Sequence, residues 1–103
     1  MSNMIFLQLC EQHMGVRPVE EYVFHPERKF RMDYAFVYNK LAIEVEGGIW
    51  IQGAHSRPSG ILRDMEKGNL AASLGWRILR FQPSELNKLA TLELIKTTLK
   101  YKM

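Results

Sequence analysis

Two adjacent runs near the middle of the chain constrain its fold most strongly. Residues 31–38 and 41–46 are rich in β-branched and aromatic side chains, and two polar residues, 39–40, separate them. Runs of this kind on either side of a short polar turn are typical of a β-hairpin. A two-residue turn would place Tyr38 opposite Leu41. The sequence therefore predicts an antiparallel strand pair with that register.

Helix and strand signals alternate in the rest of the chain. Gly15 and Gly75 each follow a run with apolar residues at helical spacing, and glycine commonly ends a helix. The order helix, three strands, helix, strand, helix predicts an α/β fold, a mixed β-sheet flanked by helices. The elements predicted outside the hairpin are helices over 3–14, 60–74 and most of 84–100, and strands over 20–24 and 77–81.

Composition narrows the class of protein. A length of 103 residues and a hydrophobic content of 47% are typical of a globular protein, so we expect residues 1–103 to form a single domain. The sequence lacks both an apolar run long enough for a transmembrane helix and the pattern of a signal peptide. The lone cysteine, Cys10, excludes a disulfide framework, so a reducing, cytoplasmic setting is expected. The net charge of +3 permits nucleic-acid binding without requiring it.

Three acidic residues share one face of the predicted hairpin. Side chains alternate across a strand, so Glu44 and Glu46 lie together on the face opposite to their apolar neighbours. Counting back from the two-residue turn places Asp33 opposite Glu46 and diagonal to Glu44. A divalent cation would relieve the repulsion among these acids, because Mg²⁺ prefers carboxylate oxygens and retains several waters. The alternative is a solvent-facing acidic strip with partners such as Arg31.

Lys67 lies in the helix predicted after the long segment 47–59, which we expect to be a functional loop. From that position it could reach the end of the acidic strands. A lysine beside a metal-bound water can stabilise developing negative charge or orient the nucleophile. The alternative is an exposed helix lysine that pairs with a neighbour such as Asp64.

The segments together resemble a nuclease superfamily. An acid on one strand, an apolar strand with Glu-x-Glu, a loop and a basic helix resemble the PD-(D/E)XK nucleases. The chain is most similar to small phage and prophage endonucleases of the very-short-patch-repair-like type and to archaeal-type Holliday junction resolvases. The resemblance spans residues 18–81 and is carried by residues 31–35 (RMDYA), 44–48 (EVEGG), Trp50, 53–57 (GAHSR), 64–69 (DMEKGN) and 75–81 (GWRILRF).

The resemblance implies roles for the acidic residues. Asp33 and Glu44 correspond to metal ligands, and the carbonyl of Val45 corresponds to a third ligand oxygen. Glu46 stands where the superfamily most often has lysine, which leaves the general base open. Either Glu46 takes part in metal binding or acts as a base, or Lys67 fills the role of the missing lysine.

An additional acid precedes the first catalytic strand in resolvase-like members. Glu21 is the candidate for that acid, and Glu20 is its rival because a shift of one residue exchanges the faces of a strand. Basic residues around the acidic strands are expected to contact DNA phosphates. They are Arg28, Lys29, Arg31, His55, Arg57 and Arg63. His55 could instead shuttle protons, because an imidazole titrates near neutral pH.

The resemblance implies a restriction-endonuclease-like fold and an Mg²⁺-dependent endodeoxyribonuclease, with Mn²⁺ as a substitute ion and a phage or prophage origin. One or two metal ions would activate water for phosphodiester hydrolysis. A chain this short leaves few side chains to read base edges, so branched DNA such as a Holliday junction is the expected substrate. Two cuts require two sites, which predicts a homodimer. The alternatives are a monomeric nicking enzyme of the repair type, a non-catalytic DNA-binding module and a metal-independent protein-interaction domain.

Overall fold

The computed structural model of the protein describes residues 3–47 and 58–101. Its helices and strands follow the predicted order. They are α1 (Met4–Met14), β1 (Val19–Val23), β2 (Arg31–Phe36), β3 (Leu41–Val45), α2 (Pro58–Ser73), β4 (Arg77–Phe81) and α3 (Leu89–Lys100), with a short 3-10 turn at Pro83–Glu85. Within the described residues, no helix combines the length and the apolar character needed to cross a membrane.

The four strands form one mixed sheet in the order β1-β2-β3-β4. The pairs β1–β2 and β2–β3 are antiparallel, whereas β3 and β4 run parallel. A parallel pair needs a crossover connection, and α2 lies between β3 and β4 in the chain. The predicted α/β class, a mixed sheet flanked by helices, is confirmed.

Local signals set the ends of α1 as predicted. The side-chain oxygen of Asn3 accepts a hydrogen bond from the backbone N–H of Phe6 at 3.0 Å, which caps the start of the helix. Gly15 has a φ of 74° and its N–H donates to the carbonyl of Glu11. This left-handed conformation is the usual glycine stop.

The register of the central hairpin differs from the prediction. Phe36, not Tyr38, lies opposite Leu41, so the connection has four residues, 37–40, instead of two. The favoured two-residue turn needs positive φ at both central residues, which glycine and asparagine tolerate far better than lysine. In the wider turn only Lys40 has a positive φ, of 51°.

This shift of two residues changes which acids face each other. Continuing the observed register places Asp33 opposite Glu44, so the predicted pairing of Asp33 with Glu46 is wrong. Because the side-chain period of a strand is two residues, an even shift does not by itself move a side chain to the other face. The acids of β2 and β3 therefore still meet, although the partners change.

Two apolar clusters lie on opposite faces of the sheet. The first, which we call the α1/α3 core, joins these helices to alternate residues of β2 and β3. Its buried members are Phe6, Leu7, Cys10, Tyr34, Phe36, Leu41, Ile43, Leu86, Leu92 and Ile95. The second, the α2 core, joins α2 to the other face. Its buried members are Phe24, Phe30, Met32, Ala35, Ala42, Ala71 and Trp76.

Strand β2 bends at Asp33, and β1 bends at the residue opposite to it. Met32 belongs to the α2 core and Tyr34 to the α1/α3 core, although strict alternation would place both on one face. Glu21, which faces Asp33 in the β1–β2 register, has a φ of 50°. A left-handed glutamate inside a strand is uncommon and interrupts the regular pleat. The bend therefore places Asp33 where β2 changes the face that it buries.

Candidate functional site

Asp33 on β2 and Glu44 on β3 form a carboxylate pair at the edge of the α2 core. The backbone N–H of Asp33 donates to Oε2 of Glu44 at 2.9 Å, and the N–H of Val45 donates to Oδ2 of Asp33 at 2.7 Å. Each carboxylate thus accepts a hydrogen bond from the backbone of the opposite strand. Glu44 is only 7% exposed, which is rare for a glutamate. The sheet itself therefore holds the two acids together.

Lys67 of α2 supplies the positive charge that this pair needs. Its ammonium donates to Oε1 of Glu44, and both side chains are largely buried. Burial raises the pKa of the Glu44 carboxyl, and the nearby charge of Asp33 acts in the same direction. The hydrogen bonds from Lys67 and from the Asp33 amide oppose that rise. Lys67 therefore contacts the predicted site and is not a free surface lysine.

Glu46 lies at the outer end of the same site. Its Oε1 is 3.3 Å from Nε of Arg80, and its backbone N–H donates to the carbonyl of Phe81 at 2.8 Å. A cavity of about 230 Å³ connects these groups, and its polar lining consists of Asp33, Glu44, Glu46, Asp64, Lys67 and Arg80. Val45 also lines this cavity, so the structure brings together five of the predicted site residues.

The donor set around Asp33 and Glu44 fits a hard cation rather than a structural zinc ion. Across 3–47 and 58–101, no group of three or more His, Cys, Asp or Glu side chains is arranged to hold a metal. Mg²⁺ commonly uses one or two carboxylates and completes its shell with water, so Asp33 and Glu44 are the residues that could hold such an ion. The position of the Lys67 ammonium also indicates that this site favours a cation.

Glu21 and Glu20 lie on the other side of Asp33. Both line a cavity of about 680 Å³ that also includes Asp33 and Tyr34. Glu20 accepts a hydrogen bond from the backbone N–H of Asn3 at 3.3 Å, whereas Glu21 is exposed. Asp33 is therefore shared between this cavity and the one that contains Lys67.

Predicted DNA-contacting residues gather beside Lys67. Lys29, Arg31 and Arg63 line a cavity of about 420 Å³ together with Lys67 itself. The guanidinium of Arg63 lies 5.4 Å from the ring centre of Phe30. Four cations and one carboxylate, that of Asp64, thus border this opening next to the carboxylate pair. Two further predicted contacts, His55 and Arg57, lie outside the described residues.

Arg28, another predicted DNA contact, forms a bidentate ion pair with Glu66. Its two terminal nitrogens donate to both carboxylate oxygens of Glu66 at 2.8 Å, and its guanidinium lies 4.7 Å from the ring centre of Phe30. The Arg28 guanidinium lowers the pKa of Glu66. This pair links the segment before β2 to α2. Arg28 therefore stabilises the arrangement of the basic surface, and fewer of its N–H groups remain to donate to a phosphate.

Phe30 and Glu66 were not expected as functional residues. Phe30 is 5% exposed and supports two guanidinium groups, and Glu66 fixes one of them. The sequence did contain a signal for Phe30, because it is an aromatic residue within the basic run 28–31. The sequence contained no signal for Glu66, because its partner is 38 positions away in the chain.

Neither a known protein-family model nor a curated protein sequence matches this chain. Among solved structures, the chain is similar to the homing endonuclease I-Bth0305I catalytic domain. The TM-score is 0.63, the sequence identity is 22%, and the match covers 94% of each chain. Similarity at this identity shows a shared fold across nearly the whole domain.

Proposed function

We propose that the protein is a metal-dependent endonuclease that hydrolyses phosphodiester bonds in DNA. The observation that carries the proposal is the buried Asp33–Glu44 pair with the Lys67 ammonium beside it. Basic side chains border an adjoining cavity that shares Lys67 with the carboxylate cavity, which suits an anionic backbone. The fold that the chain shares with a homing endonuclease catalytic domain supports the proposal by analogy.

In this proposal Asp33 and Glu44 hold Mg²⁺, or Mn²⁺ in its place, with the Val45 carbonyl as a third oxygen. A bound ion would lower the pKa of a water molecule and offset charge on the scissile phosphate. The chain supplies rigidity, because the Asp33 and Val45 amides fix both carboxylates before any ion arrives. Such preorganisation reduces the cost of gathering like charges.

The remaining acids and Lys67 complete the site in this proposal. Lys67 lies close enough to act on the charge that develops on the phosphate, and Glu46 is held by Arg80 at the mouth of the cavity. Either residue can fill the role of the missing superfamily lysine. Glu21 would act from the second cavity, on the far side of Asp33, with Glu20 as its rival.

Phosphate contacts are proposed for the basic residues around the opening. Lys29, Arg31 and Arg63 border the Lys67 cavity, and the planar guanidinium of Arg63 is already oriented by Phe30. Arg28 acts with them, mainly through its pair with Glu66. His55 and Arg57 are proposed on the sequence resemblance alone. These contacts position DNA without reading its sequence.

We further propose that branched DNA, such as a four-way junction, is the preferred substrate and that the enzyme acts as a homodimer within the cytoplasm of a phage-infected or prophage-bearing cell. A domain of 103 residues has little surface for base readout. Cutting two arms of a junction requires two sites, which a two-fold dimer supplies. A monomer that nicks duplex DNA is the rival arrangement.

The test is a cleavage assay on matched junction, mismatch and linear duplex substrates with Mg²⁺, Mn²⁺ or EDTA. We expect metal-dependent cleavage that is fastest on the junction, and light scattering should show a dimer at micromolar concentration. Equal nicking of all substrates by a monomer would exclude the junction-specific dimer but leave the nuclease assignment standing. Absence of cleavage on every substrate with both metals would overturn the nuclease assignment.

A further inference from the structure

We propose that the Lys67 ammonium is an internal cation that occupies the metal side of Glu44, and that a divalent ion binds only by displacing it. This inference rests on the proposed metal site at Asp33 and Glu44. It adds a competition within the protein, in which metal binding and the Lys67–Glu44 contact exclude each other.

The carboxylate oxygens provide the first argument. Oε2 of Glu44 accepts from the Asp33 amide, Oδ2 of Asp33 accepts from the Val45 amide, and Oε1 of Glu44 accepts from Lys67. Within the described residues, only Oδ1 of Asp33 has no such donor. Oε2 of Glu44 already accepts from a backbone amide that the strand pairing holds in place, so Oε1, where the ammonium lies, is the more open approach for an ion that contacts both carboxylates.

Mobility provides the second argument. The two amide donors belong to β2 and β3, and moving them would break the pairing between these strands. Lys67 reaches Glu44 through a flexible four-carbon chain, so it is the donor that can leave at the lowest cost. An ammonium and a divalent ion repel each other strongly at contact distance, which makes joint occupancy of Oε1 unfavourable.

The third argument is the destination of the displaced ammonium. Lys67 also lines a cavity bordered by three other cations, Lys29, Arg31 and Arg63, and by one carboxylate, that of Asp64. Leaving Glu44 would move its charge from a carboxylate toward the surface proposed to bind phosphate. Metal binding would thereby prepare that surface for DNA, since the ammonium is no longer neutralised by Glu44. A DNA phosphate would in turn favour metal binding, because coupling between two ligands is reciprocal.

The first experiment measures Mn²⁺ binding by calorimetry without DNA. Lys67→Met removes the competing charge, Lys67→Arg retains it, and Lys100→Met removes the same charge from the end of α3. We expect Lys67→Met to bind Mn²⁺ about tenfold more tightly than the wild type, a difference of about 1.4 kcal/mol. Lys67→Arg and Lys100→Met should not show this gain. Equal or weaker binding by folded Lys67→Met would overturn the inference.

The second experiment uses only the wild-type chain, in case Lys67→Met does not fold. An amine-acylating reagent is applied with and without Mg²⁺, and mass spectrometry measures the acylation of each lysine. We expect Mg²⁺ to increase the acylation of Lys67 several-fold and to leave that of Lys100 unchanged. Unchanged acylation of Lys67 at saturating Mg²⁺ would overturn the displacement while leaving the nuclease assignment intact. Absence of metal binding by every variant would overturn the metal site itself, and with it this inference.

Discussion

On one face of the sheet, α1 and α3 pack through large apolar side chains, and Phe6, Cys10 and Ile95 are completely buried. On the other face, α2 buries a single residue, Ala71, although the core beneath it is apolar. Arg28–Glu66 and Lys67–Glu44 anchor the middle of the helix, and Leu70 and Leu74 pack near its end. The α1 and α3 helices are thus attached mainly by apolar burial, whereas α2 combines apolar packing with ion pairs.

This difference suggests separate roles for the two faces, one in stability and the other in the proposed function. A close-packed apolar core cannot rearrange without leaving voids, so the α1/α3 face is suited to keeping the sheet in shape. The exposed Arg28–Glu66 pair contributes little stability and breaks at low cost, so the middle of α2 can adjust when a charged ligand arrives. The α2 face therefore carries the proposed site, and the α1/α3 face supports the strands that hold its acids.

The largest expected effect is loss of activity on the α2 face with no loss of stability. Asp33→Asn should reduce DNA cleavage at least about 100-fold, because it weakens the proposed metal ligand. The fold should persist, and the melting temperature should stay equal or rise, because repulsion with Glu44 is relieved. Cleavage gels and circular dichroism measure the two effects. Glu93→Gln, an equal charge change on α3, is the control, and wild-type cleavage by Asp33→Asn would contradict the assignment.

Truncation of the same side chain on the two faces should give very different losses of stability. Ile95→Ala removes a fully buried side chain from the α1/α3 core and should cost about 2–5 kcal/mol in the free energy of unfolding. Ile61→Ala on α2 removes a side chain that is 46% exposed and should change it by less than about 0.5 kcal/mol. Urea denaturation measures both, and similar losses would show that α2 is packed more tightly than its contacts indicate.

Alkaline pH should weaken the α1/α3 face through its cysteine. Burial raises the pKa of the Cys10 thiol from 9.0 to about 12, so the unfolded chain loses this proton at a lower pH than the folded protein does. The free energy of unfolding should therefore be unaffected below pH 9 and fall as the pH rises above it. Urea denaturation from pH 8 to pH 10 measures this slope. In Cys10→Ala, the free energy of unfolding should fall less steeply with pH. A slope equal to that of the wild type would show that other groups cause the pH dependence.

The smallest expected effect concerns the Arg28–Glu66 ion pair at the middle of α2. Arg28→Met should leave the melting temperature nearly unchanged, because the pair with Glu66 is exposed. It should speed amide hydrogen exchange around Glu66 without affecting Leu74, since only the middle of α2 loses an anchor. Arg17→Met removes a comparable exposed pair with Glu11 and is the control. Faster exchange along all of α2 would show that the helix moves as one unit.

Sequence alone identified the elements and most of the proposed site. The order of helices and strands and the stops at Gly15 and Gly75 were predicted correctly, because these signals depend on a few neighbouring residues. Asp33 and Glu44 were placed together by strand alternation, and the error in turn length did not separate them. A register error of two residues keeps both side chains on the same face of the sheet, so the predicted proximity of Asp33 and Glu44 did not depend on the exact turn length.

Tertiary structure decided the contacts between distant segments. The Lys67–Glu44 contact spans 23 positions and the Arg28–Glu66 contact spans 38, and no local pattern selects either partner. The left-handed Glu21 and the bend at Asp33 also depend on how two strands fit between two cores. Local preferences determined where elements begin and end, since they act through adjacent atoms. Packing determined which charges meet, because that outcome depends on how all the elements close around the sheet.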